Sequence, residues 1–424
     1  MRSLITSVQP SVLLLASCAL ALSRAAAGAE TPLTLEEAIN QARQATPEVA
    51  ASQAMLEAAQ VVAPSAGRLP DPELMTGVDN LPIDTADRFS FTRDFMTMRN
   101  IGVMQTFPNR TKRRLQGEQA QRTIDIALAE LRKTQFDAGH AAAQAWIARA
   151  VAEGSLARLR ELSPDTELQA TSARAALASG RASAADALAA QSLVAALDEQ
   201  ILMLEQDAEM KRAELARWIG AAADRPLAAI PTDRPLEHSA EALVEGVPQH
   251  APLAPLVARI AAAQTEVELA RAERRPDWST ELTYSKRGSE FSDMVSLEFR
   301  VGLPIFPGKR QNPVIAEKRA AVRAQEAGRD AEIRMHTAEV RSAAAEWRRG
   351  RERLLNYAND LLPLAHDRSR AAVASYGAGR GELRSTVDAL SEEIETQLAY
   401  VELQGAVARA WVFLHLLHDS GTEQ

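Results

Sequence analysis

The chain of 424 residues repeats itself at long range, so its two halves are expected to share one order of elements. Phe107-Pro108-Asn109 with Lys112-Arg113 returns as Phe306-Pro307-Gly308-Lys309-Arg310, and Gly180-Arg181 returns as Gly379-Arg380, both at an offset of 199. Leu69-Pro70-Asp71 and Arg275-Pro276-Asp277 match at 206, so the halves differ in length in the region between their strands. Each half reads as helix, strand, strand, long helix, tight turn, long helix. The expected organisation is a first repeat over 30–225, a Pro-rich linker over 226–238 and a second repeat over 239–424.

Helix length follows from missing prolines. Arg110 to Ser163 contains none, and 54 residues at about 1.5 Å each make about 80 Å of helix, several times the usual globular length. The second half repeats the run from Val314 to Leu362, and further uninterrupted runs follow the glycine turns, to Ala222 and to His418. Leu197, Ile201, Leu204, Ala208, Lys211, Leu215 and Trp218 step alternately by four and three, as do Ile394, Leu398, Val401, Gly405, Ala408, Val412 and His415. That period is a coiled-coil seam, and 82 alanines supply small side chains for close helix packing. One face of a large helical bundle gives the same period over short runs.

Two segments carry the period of strands. Val295, Leu297, Phe299, Val301 and Leu303 alternate with Ser296, Glu298, Arg300 and Gly302, and Trp278, Thr280, Leu282 and Tyr284 alternate with Ser279, Glu281, Thr283 and Ser285. One face is apolar with aromatics toward its ends and the other is charged, which suits a barrel with lipid outside and water inside. Trp278, Leu282, Tyr284, Val295, Leu297, Phe299 and Val301 are expected to face lipid, and Glu281, Glu298 and Arg300 the lumen. Each strand has about the 9 to 11 residues a bilayer requires. The first-half pair, near 73–81 and 95–105, alternates less cleanly and rests mainly on the repeat. Four strands cannot close a barrel, and an open edge is forbidden in lipid, so three copies giving twelve strands are the expected solution.

The first 29 residues run from Arg2 through an apolar stretch, Val12 to Leu22, into Ala27-Gly28-Ala29, an export-signal pattern with Glu30 as the first mature residue. Leu15-Ala16-Ser17-Cys18 also resembles a lipobox, in which Cys18 would be lipidated, but the apolar stretch continues past Cys18 and favours ordinary cleavage. Beyond residue 30 no stretch approaches the roughly 18 uninterrupted apolar residues of a spanning helix, which leaves strands to cross a membrane. A net charge of −8 with no basic block excludes a nucleic-acid partner, and a single cysteine excludes internal disulfides and thiolate metal clusters.

LTLEEAINQARQATPEVAASQAMLEAAQ at 33–60, the duplicated strand pairs, the FPGKR junction and ASGRASAADALAAQ at 178–191 together resemble the TolC-like outer-membrane efflux factors over essentially the whole mature chain. The resemblance implies a mainly α fold with a small β part. It implies a homotrimeric channel-tunnel, with a 12-stranded β-barrel in the outer membrane continued by a helical cylinder across the periplasm. Such channels dock through helix-turn-helix tips onto a periplasmic adaptor and an inner-membrane RND pump, and the most similar subgroup serves heavy-metal resistance pumps of the cobalt-zinc-cadmium or copper-silver type. Adaptor contacts are implied at the tip turns, Gly180, Arg181, Gly379, Arg380 and Gly381. The family often places aspartates six and nine positions after the tip glycine. Here Gly180 is followed by Asp186 and Ala189, and Gly379 by Ser385 and Asp388. Asp388 matches a gate position where three symmetry-related carboxylates narrow the entrance, while Ser385 departs from the pattern and Asp186 is the first-half candidate. Helix-dipole charges and surface solvation account for these aspartates and for the arginines in simpler terms.

No reaction site emerges, so neither an enzyme nor a cofactor is expected. The histidines, His140, His238, His250, His336, His366, His415 and His418, have no zincin spacing. His415 and His418 share a helix face, where capping or packing is simpler than metal binding. Gly377-Ala378-Gly379-Arg380-Gly381 follows a helix rather than a strand and lacks the Lys-Ser or Lys-Thr of a phosphate loop. Met75, Met96, Met98 and Met104 cluster around the first strand pair. Their thioethers suit Cu(I), with Met96 and Met98 as candidates, although a flexible filler on a lipid-facing or loop surface is the simpler reading. The expected function is a passive exit duct for heavy-metal cations. A periplasmic coiled-coil adaptor or spacer without a pore is the rival, and a duct for drugs or other small molecules the third reading.

Overall fold

The computed structural model describes residues 31–84 and 86–419, so the export-signal and Cys18 expectations lie outside the described residues. The first half folds as α1 (Leu35–Ala45), α2 (Pro47–Val62), β1 (Glu73–Asp79), β2 (Met98–Phe107), α3 (Arg110–Ala178) and α4 (Ala184–Ile219). The second adds a short α5 (Ala240–Glu245), then α6 (Ala254–Ala272), β3 (Trp278–Lys286), β4 (Met294–Val301), α7 (Gln311–Asn356), α8 (Leu362–Gly377) and α9 (Leu383–Asp419). The fold is mainly α with one small sheet, as the periodicities require.

The long helices run on past the prolines that bound the uninterrupted stretches. α3 spans 69 residues and contains Pro164, and at the same place in the repeat Pro363 sits in the first turn of α8. A proline inside a helix loses one hydrogen bond and crowds the carbonyl four residues back, at about 3 kcal/mol. In the second half a π-turn, Tyr357–Leu361, rephases the backbone before Pro363. In the first half the helix continues because its flanks are anchored: Leu159, Ala170 and Ala173 are fully or almost fully buried.

Strand ends also shift for local reasons. β1 stops at Asp79 because Asn80 takes a φ of 53°. β2 starts at Met98 rather than 95 because the Asp94 carboxylate accepts from the backbone N–H of Met96 and Thr97, closing an Asx-type turn. Leu303 falls beyond β4, where the Gly302 N–H instead donates to the Asp277 carbonyl. The four strands form one antiparallel sheet in the order β1-β2-β3-β4.

The chain divides into two compact units, each drawing on both halves of the sequence. One contains Ala141–Asp233 and Gly350–Arg409 with the described residues up to Gln41. Its core includes Trp146, whose indole N–H donates to the Leu33 carbonyl at 3.1 Å, and the buried Arg149, which donates to the Ala223 carbonyl and to Glu153. The expected seams hold here: Leu159, Leu197 and Ile394 form a buried cluster with Ile201, Leu204 and Leu398 around it. The other unit joins Ala42–His140, Arg234–Arg349 and the described residues from Ala410, and carries the sheet. α4 with the turn after it, Ala184–Asp224, is the one helix among the described residues long and apolar enough by composition to span a membrane. Asp198, Glu199 and Glu205 interrupt it.

Candidate functional site

The sheet has two chemically opposite faces, and pairing register fixes which residues share each. Leu282 lies opposite Leu297, Tyr284 opposite Val295, Thr280 opposite Phe299 and Trp278 opposite Val301. The seven residues expected on the apolar face are all there, and all are between 41% and 69% exposed. β2 and β1 extend that face with Ile101, Val103 and Leu74, which the less regular first-half alternation concealed. At one end Phe107 stacks on Trp278 with ring centroids 4.1 Å apart. An exposed apolar surface of this extent on both hairpins has no reason to face water.

The opposite face is polar and concave. It encloses a groove of about 430 Å³ lined by Asp79, Asn100, Thr283, Glu281 and Glu298 among others. Glu281, Glu298 and Arg300, expected to share this face, come together as a triad. The guanidinium reaches Glu281 Oε2 at 2.8 Å and Glu298 Oε1 at 2.6 Å. Two carboxylates around one cation leave one net negative charge per chain. The methionines divide: Met75 and Met98 line the polar groove, and Met104 Sδ lies 3.6 Å from Arg300 Nη1 on the same face. Met96 is in the β1–β2 loop, where its carbonyl accepts from Asn80.

The sheet is joined to the helices at a corner built from both copies of the repeat. Asp277 accepts from the Asn109 backbone N–H at 2.7 Å and from Lys112 Nζ at 3.2 Å, tying the first strand-to-helix junction to the start of β3.

At the far ends of α3 and α8 the two turns are superimposable in bonding. Gly180 and Gly379 have φ of 71° and 70°, the left-handed conformation for which glycine carries no Cβ penalty. The Arg181 N–H donates to the Ala176 carbonyl and the Arg380 N–H to the Ser375 carbonyl, the long hydrogen bond of a Schellman motif. Both arginine side chains are exposed, as is Gly379, while Gly381 is half-buried. Below the turns Ala170, Ala173, Ala190 and Leu383 pack together, so small side chains bring α3, α4 and α9 close.

The turns differ in their carboxylates. Asp186 is engaged in a capping box: its Oδ2 accepts from the Ser183 hydroxyl and N–H, and its own N–H donates to Ser183 Oγ. The Ser183 hydroxyl, then its backbone N–H, holds the Asp186 carboxyl below the usual carboxylate range. In the second copy Glu382 replaces Ser183 and no such box forms. Ser385 and Asp388 are exposed, and no side-chain bond to either carries the cap.

Among the described residues no three His, Cys, Asp or Glu side chains form a group able to hold a metal ion. Sequence spacing missed a buried pair, His250 and His336, whose Nδ1 and Nε2 lie 3.1 Å apart, with Glu339 accepting from the other nitrogen of His336. His415 stacks on Trp411 at 4.7 Å, a packing role. His418 falls where side chains are outside the described set.

Residues 249–418 match the model of the outer membrane efflux protein family. No curated protein matches the sequence. Among solved structures, the Campylobacter jejuni outer membrane channel CmeC is similar with a TM-score of 0.78 at 11% identity, covering 92% of this chain and 87% of that one. VceC, an outer membrane protein of Vibrio cholerae, gives 0.73 at 19% identity with coverages of 91% and 96%. CusC, whose structures concern transmembrane channel formation, gives 0.75 at 16% with 90% and 91%. The chain therefore has the fold of a TolC-like outer-membrane channel protomer, and its second half carries the sequence signature of the outer membrane efflux protein family.

Proposed function

We propose that three copies of this chain form the outer-membrane channel of a tripartite efflux system, a passive duct that a periplasmic adaptor and an inner-membrane RND pump load from below. The observation that carries this is the sheet: it is apolar on one face, charged and concave on the other, and β1 and β4 each pair on one side only among the described strands. Two bare edges cannot stay unpaired in lipid, and β4 of one copy against β1 of the next removes both at once. Leu188, Leu202, Met203 and Met210 on α4 are exposed, and the acids on that helix oppose lipid burial, so packing against a sister copy is the fitting cover. The sheet then lies in the outer membrane and the helices extend into the periplasm.

The turns at Gly180 and Gly379 are the surfaces for the adaptor, with Arg181 and Arg380 exposed beside them. Asp388 is the carboxylate of the entrance, because it is exposed and uncommitted to a cap, whereas Asp186 is tied to Ser183. Three such carboxylates in a narrow opening concentrate cations, which supports heavy-metal cations as cargo over neutral drugs. In planar bilayers Asp388→Ala is expected to raise single-channel conductance or to weaken block by divalent cations. Unchanged conductance and block remove Asp388 from the entrance.

A further inference from the structure

We propose that the polar face of the sheet is a ladder of thioethers that passes soft monovalent cations of the Cu(I) or Ag(I) type. This rests on the channel reading above and names its cargo class. Pairing register puts one methionine on each of four successive rungs. Met98 lies opposite Asp79, Met75 opposite Gly102, and Met104 opposite Glu73 and Glu281. Met294, which pairs through Ser285 with Asn100, fills the rung between Met98 and Met75. Rungs are two residues apart, about 6.8 Å along a strand. In the proposed trimer each rung holds three sulfurs around the lumen.

The alternative, that methionine is an apolar filler, predicts the opposite placement. A thioether is apolar and adaptable, and the exposed apolar face is where it would be least costly. That face carries Leu, Ile, Val, Phe, Trp and Tyr but no methionine, while all four methionines of the strands lie on the charged face. The sulfurs there are open to polar partners, as the Arg300 contact to Met104 Sδ shows. Carboxylates of Asp79, Glu281 and Glu298 among the rungs attract cations of any kind, and thioethers then favour the soft ones. Spacing the sulfurs along the path, rather than converging them on one point, suits passage, since a conducting site must also release its ion.

The test is made on the full chain reconstituted in planar bilayers carrying sodium current in chloride-free nitrate. Ag⁺ is expected to reduce the wild-type current reversibly. Combined Met75→Leu, Met98→Leu, Met104→Leu and Met294→Leu, which nearly conserve volume, should raise the half-blocking Ag⁺ concentration about tenfold or more with sodium conductance retained. Equal Ag⁺ block in both proteins, or no block of a conducting wild type, overturns the ladder and leaves the channel reading standing. No sodium current from the wild type overturns both. Should the combined variant not assemble, Met98→Leu and Met294→Leu singly decide: a raised half-blocking concentration supports the ladder and an unchanged one overturns it.

Discussion

Gly405 on α9 offers a sharp check on the close helix packing. A Cβ added there would lie 2.4 Å from Val151 Cγ2 on α3, with the Arg409 guanidinium at 3.3 Å and Ile147 Cγ2 at 3.7 Å, and both Gly405 and Val151 are buried. Ordinary contact begins near 3.4 Å, so Gly405→Ala requires the Val151 side chain or the helix that carries it to give way by about 1 Å. Overpacking of this kind costs about 1 to 3 kcal/mol, against a gain of about 0.8 to 1.0 kcal/mol from replacing glycine by alanine in a helix. The clash wins, by up to about 2 kcal/mol. Val151→Ala alone leaves a hole and costs about 2 kcal/mol. In Val151→Ala with Gly405→Ala, the new methyl enters that hole and the helix-propensity gain remains, so the double variant should melt above Val151→Ala. The assay is the thermal midpoint of the purified full chain in one detergent, read as a double-mutant cycle. A Gly405→Ala variant that melts above wild type, or strictly additive shifts, would refute the knob-in-hole argument.

The other predictions concern protonation and capping. Burial, and then the neighbouring His336, pushes His250 down to about 4. Its folded value lies below its unfolded value of about 6.5, so its contribution is intact above pH 6.5 and is lost as pH falls toward 4, about 3 kcal/mol in all. His250→Leu should be less stable at pH 7, because His336 Nε2 loses its partner, yet should show a shallower acid decline of the melting midpoint; identical acid slopes count against the pair. Ser183→Ala removes the hydroxyl that holds the Asp186 carboxyl down, so the Asp186 titration followed by NMR should move up toward the ordinary carboxylate range. A titration that does not move would mean that the capping box is not formed in solution.

What the sequence disclosed depended on how local each signal was. The duplication at 199 and the seam through Leu197, Ala208 and Leu215 needed no tertiary information, and all three seam residues are buried. β3 and β4 were legible because their two faces differ at most steps, Thr280 and Met294 being the exceptions. β1 and β2 were blurred because Met75, Met98 and Met104 put apolar letters on the wet face, with Gly77 and Gly102 interrupting the alternation. The continuation of α3 across Pro164 could be taken only from the position of the tip glycine, because a helix end is decided by packing as well as by the missing N–H: buried Leu159 and Ala173 on either side hold α3 together there. The Glu281, Glu298 and Arg300 triad was visible as a shared face but not as ion pairs, which required the register of β3 against β4. His250 and His336 lie 86 positions apart, beyond any spacing rule. Ser183-Ala184-Ala185-Asp186 did carry a capping signal in its own letters, and its geometry assigns Asp186 to the helix start.

Cryo-electron microscopy of the detergent-purified full chain, with its mass measured on the same sample, bears most directly on whether one chain is only a third of the pore. The expected particle contains three chains, twelve strands closed around an open lumen, and β4 of each copy hydrogen-bonded to β1 of the next. A stable single-chain particle whose β1 and β4 have no strand beside them, or whose four strands are covered by its own helices, would contradict it.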